Sequence, residues 1–110
     1  MVYTVIVCDL FHDLDPDHEQ VVSGFPSAEA AIEYARRRLR SSIEEMRTPG
    51  ITPEALREQW RTFGEDCRVI GPQGVVYTAS QDLARFLAEP ASPEACDWVG
   101  WRRRFVEPDS

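Results

Sequence analysis

The densest group of side chains able to do chemistry is His12-Asp13-Leu14-Asp15-Pro16-Asp17-His18-Glu19. Carboxylates at alternate positions, here Asp13, Asp15 and Asp17, converge on a hard cation when their loop turns sharply, as at the start of an EF-hand. The pattern departs where that turn is made. His18 stands where the loop needs glycine, and Gly24 where it needs a bidentate glutamate. A transition-metal set would use His12 and His18 with Asp15. A small metal-dependent enzyme or ligand-binding protein built on residues 11–19 would draw on His12, Asp13, Asp15 and His18. The plainer reading is a solvated acidic loop over residues 11–18, and on that reading no metal or cofactor is expected.

The three cysteines are weak nucleophile candidates. Cys67 follows Glu65 and Asp66, and Cys8 precedes Asp9, so nearby anions oppose the thiolate that catalysis requires. Cys8, Cys67 and Cys96 are odd in number and widely spaced, which argues against a disulfide framework. The chain also has no glycine-rich phosphate loop, no G-x-S-x-G and no H-E-x-x-H.

All twelve basic residues are arginine, and lysine and asparagine are absent. That bias points to a GC-rich, bacterial coding sequence and weakens the meaning of any single arginine. Arg36, Arg37, Arg38 and Arg40 are flanked by Glu29, Glu33, Glu44 and Glu45, which favours a salt-bridged helix face over an anion site. Arg102, Arg103 and Arg104 lie between Trp101 and Phe105, with Trp98 just before. Aromatic and arginine side chains together are enriched at interfaces, so Trp98, Trp101, Arg102, Arg103 and Arg104 are the interface candidates.

These residues need elements to hold them. Val2 to Asp9 is β-branched and aromatic, fit for a central strand, and Glu19 to Phe25 gives a second strand paired with it as a hairpin. Ser27 caps a long helix whose Ala28, Ala31, Ile32, Ala35, Leu39, Ile43 and Met46 form one apolar stripe, with Arg40 and Glu44 as an i,i+4 pair. Thr52-Pro53-Glu54 starts another helix with Leu56, Trp60 and Phe63 inward, stopped by Gly64. Asp66–Ile70 and Val75–Thr78 form a hairpin around Gly71-Pro72-Gln73-Gly74, and Ser80 caps a short helix. Ser92-Pro93-Glu94 starts one further turn, and the tail from Trp98 reads as strand or docked coil. The result is a single α+β domain over residues 1–110, in the order ββα–α–ββα. Its four-stranded, largely antiparallel sheet has helices on one face, and the other face is left exposed or covered in a dimer.

The stretch SGFPSAEAAIEYARRRLRSSIEE resembles the strand-to-helix passage of HicB-type antitoxins, in which a T-x-E-E-A helix start follows a β-meander. Only two strands precede the helix here and a second ββα unit follows, so no activity or residue role is carried over.

The totals bound the function. A chain of 110 residues with 43% hydrophobic residues can bury one core. A net charge of −7 opposes contact with a phosphate polyanion, so no nucleic acid partner is expected. No apolar run approaches the roughly 18 residues a spanning helix needs, and no secretory leader is present, which suggests a cytoplasmic protein without a membrane partner. The leading expectation is a non-enzymatic interaction or regulatory domain acting as a homodimer, its partner a second copy or another protein.

Overall fold

The computed structural model describes residues 2–12 and 19–105, apart from the side chain of His12. Two hairpins build the sheet. Strand β1 (Tyr3–Asp9) pairs with β2 (Glu19–Phe25), and β3 (Glu65–Gly71) pairs with β4 (Gly74–Thr78). The hairpins join through β1 and β3, giving the order β2-β1-β3-β4 with every neighbour antiparallel. Helices α1 (Ala28–Met46), α2 (Pro53–Phe63), α3 (Leu83–Ala88) and α4 (Trp98–Phe105) complete the fold. This is the expected α+β architecture, with one helix more than ββα–α–ββα.

Strand alternation decides which side is core. Val5 and Val7 of β1, and Cys67 and Val69 of β3, are buried against the helices. Ile6 lies between Val5 and Val7 and therefore points to the opposite face. β1 is central, as its composition suggested, but it is fully buried on one face only.

Two irregularities adjust this alternation. The β1–β2 register runs from Val5↔Val22 to Tyr3↔Phe25, so β2 carries one extra residue, and Gly24 there has φ 100°. Only glycine takes that conformation without cost. The bulge brings Val22 and Phe25, three apart, to the same buried side, at 5% and 0% exposure. β4 likewise has an extra residue between the partners of Val69 and Ile70, so that Tyr77 faces inward.

Helix α1 is the centre of the helical layer. Ser27 accepts the Ala30 N–H at its start, and Ala31, Ala35, Leu39 and Ile43 are fully buried. α2 begins with the Thr52 hydroxyl accepting from Ala55 N–H, and it buries Leu56 and Trp60. Phe63 departs from expectation: it is 62% exposed and stacks on Phe11, ring centroids 5.5 Å apart. The chain reverses at Gly64 before it could turn inward, and Phe63 ends up at the rim beside the 3-10 turn Leu10–His12.

Two other expectations change. Ser80 is not a cap; it lies inside a 3-10 turn (Ala79–Asp82), and its backbone N–H donates to Asp66 Oδ1. From Trp98 to Phe105 the tail is helical, neither strand nor coil, because Asp97 Oδ1 accepts the Gly100 N–H and starts α4. No helix among the described residues is long and apolar enough to cross a membrane.

Candidate functional site

The arginines of α1 form an ion-paired face, and they also bind backbone. Arg37 meets Glu33 at 2.9 Å, Arg40 meets Glu33 at 3.5 Å, Arg38 meets Glu65 at 3.1 Å and Arg36 meets Asp82 at 3.2 Å. Arg40 therefore pairs backwards to Glu33, while Glu44 takes Arg47 at 2.8 Å. A guanidinium has donors to spare after one carboxylate. Arg37 also donates to the carbonyls of Glu94 and Asp97, Arg40 to that of Ala95, and Arg47 to those of Phe86 and Leu87. These bonds tie the last turn of α3 and the irregular chain before α4 to α1. Lysine, with one ammonium, would serve such divided contacts less well.

Arg38 is 7% exposed. Its charge is met by both oxygens of Glu65, by the Tyr34 hydroxyl and by the Trp98 ring 4.0 Å away. Burial pushes the Tyr34 phenol up, and Arg38 partly offsets this.

Trp98 and Trp101 are thus half-buried against α1. The Trp101 indole N–H donates to Ala30 O at 2.9 Å, with Arg37 over its ring at 4.5 Å. Of their basic neighbours, Arg102 is partly buried and Arg103 and Arg104 are exposed. Much of the aromatic surface proposed for a partner is spent within the chain.

A second polar group, unforeseen in the sequence, joins α1 to the second hairpin. Arg36 Nε donates to both Tyr77 Oη and Asp82 Oδ2 at 3.2 Å, and the Tyr77 hydroxyl donates to Asp82. Burial first, and then the hydrogen bond to Asp82, push the Tyr77 phenol up to about 12. The same hydrogen bond from Tyr77 lowers Asp82. Nothing local signals this cluster, because its members are 41 and 46 residues from Arg36.

Cysteine chemistry finds little support. Cys67 is fully buried and Cys8 and Cys96 partly so, and burial raises all three thiols. Of the loop candidates, Asp13, Asp15 and His18 lie outside the described residues, as does the side chain of His12. Among the described residues, no group of three or more His, Cys, Asp or Glu is arranged to hold a metal.

Among the described residues, the sheet face turned away from the helices is left uncovered. Register places Thr4, Ile6 and Cys8 there, beside Glu19 and Val21 on one flank. Asp66, Arg68 and Ile70 follow on β3, and Val75 and Thr78 on β4. Val21 is 67% and Val75 57% exposed, while Ile6 and Ile70 are half-buried between their neighbours. The charges balance locally: Arg68 meets Glu19 at 3.5 Å, and Asp66 accepts two backbone N–H groups. No family model, curated protein or solved structure matches the chain.

Proposed function

We propose that this is a self-associating interaction domain, in which the open sheet face of one copy packs on that of a second. The observation that carries the reading is two offset apolar pairs, Val21 with Ile6 and Ile70 with Val75, on a face that no helix among the described residues covers. Four strands at about 4.8 Å spacing form a plate about 20 Å across, a shape that stacks on another sheet at about 10 Å. A two-fold contact requires one patch to complement itself. Apolar side chains meet that need directly, and the adjacent Glu19 and Arg68 offer opposite charges that can pair across the axis. The near-neutral patch also matters in a chain of net charge −7, since two copies otherwise repel.

Light scattering on the full chain at low and high salt tests the reading. A dimer in both conditions is expected, because apolar contact survives screening. Val21→Arg is expected to give a monomer with an unchanged circular dichroism spectrum, since Val21 is exposed on an edge strand. A salt-insensitive monomer of the unmodified chain would end the proposal.

A further inference from the structure

A cleft of about 570 Å³ opens beside the first turns of α1, within the ~300–1,000 Å³ range of small-molecule sites. The segment from α3 to α4 covers the outer side of α1 only further along, and α4 then passes to one side. Ile32, Trp101 and Phe105 supply an apolar wall, and Trp101 is held in place by its bond to Ala30 O.

Arg36 also lines this cleft, and it differs from its neighbours there. Arg37 and Glu33 are occupied by each other, by two carbonyls and by Arg40. The hydrogen bonds of Arg36 run through Nε alone, which Tyr77 and Asp82 hold at 3.2 Å, while the guanidinium lies 5.2 Å from the centre of the Tyr77 ring. Its Nη1 and Nη2 make no hydrogen bond to any described residue, although its side chain is only 35% exposed. A guanidinium anchored through Nε keeps its remaining planar donors pre-organised for a carboxylate.

We propose that the cleft binds a small monocarboxylate with a flat apolar body. The carboxylate meets Nη1 and Nη2 of Arg36, and the body lies against Ile32, Trp101 and Phe105. One negative charge is specified over two, because Asp82 already neutralises part of Arg36 and Glu29 and Glu33 stand in the lining. The site lies on α1 away from the sheet, so its test is independent of the dimer.

The test is a titration of the full chain with phenylacetate, followed by calorimetry and by amide and indole N–H resonances. Saturable binding that shifts the Trp101 indole N–H is expected, with phenyl phosphate and phenethylamine binding more weakly. Arg36→Gln is expected to weaken phenylacetate by about tenfold or more, the loss of one charged hydrogen-bonded contact. Because Arg36 also supports Tyr77, Ile32→Glu serves as a second variant: it places a carboxylate in the apolar wall and is expected to abolish binding with the fold intact. No saturable shift at millimolar phenylacetate would overturn the proposal, as would an affinity in either variant equal to that of the unmodified chain.

Discussion

A Cβ built on Gly64 would stand 2.3 Å from the Trp60 ring and 2.6 Å from the Trp60 carbonyl oxygen. Trp60 cannot move aside, because it is buried and its indole N–H donates to Glu65 O. Gly64→Ala is therefore expected to cost about 2 kcal/mol or more, read from urea denaturation; an unchanged midpoint would refute the packing at this turn. Tyr77 offers a test by pH. Its phenol rises from 10.0 to about 12 on folding, so the protonated form is favoured in the native state. That stabilisation is fully present below pH 10 and is lost as pH rises toward about 12. Tyr77→Phe is expected to be less stable near neutrality and to lose part of the alkaline decline, followed as denaturation midpoint against pH. At this scale the sequence was readable where a residue acts on its immediate neighbours. Ser27, Thr52 and Gly64 do so, each capping or stopping a helix. Phe63 was misread because helical period says which residues share a face, and not where the helix ends relative to the core. The Arg36–Tyr77–Asp82 group was invisible because only tertiary packing assembles it.

The behaviour of α1 explains most of what the elements do. Its apolar stripe seats it on the sheet, and its charged side then receives the chain between α3 and α4 as well as solvent. Arg47, just past the end of α1, makes the matching tie to α3, bonded at once to Glu44 and to the carbonyls of Phe86 and Leu87. Arg47→Met removes those ties and is expected to cost about 1–3 kcal/mol. Amide exchange should accelerate in residues 86–97 while β1 and β3 keep their protection. Uniform acceleration would show that this segment does not depend on the arginines. The pairing partners of these residues were partly legible, since Glu33 and Arg37 are four apart. Their bonds to backbone were not, because an irregular segment carries no periodic signal. The same reason hid α4. Trp98, Trp101 and Phe105 do stand at i, i+3 and i+7, but Gly100 and the arginine run break up so short a stripe, and the helix start depends on Asp97, one cap in an acidic chain. The β2 bulge was equally obscure, since Gly24 reads as a turn until the register is known.

At the scale of the whole molecule, the fold is a plate of four strands with the helices of the described residues on one side, measuring 43 × 31 × 23 Å. The class and strand number followed from two hairpin patterns and their helices, so the architecture was largely legible. The identity of the open-face residues was not, because it rests on which strands are neighbours and where the bulges fall. Val21, Ile6, Ile70 and Val75 of that face are proposed to meet a second copy, while Trp98 and Trp101 turn back onto α1 of their own chain. The most direct measurement is a dilution series followed by the methyl resonances of these four residues, with the mass recorded at each concentration. The expected result is a mass of about twice 12.6 kDa at high concentration, falling on dilution as those methyls shift and the methyls of Leu39 and Ile43 stay fixed. A mass of 12.6 kDa throughout, with no methyl of the open face responding, would contradict it.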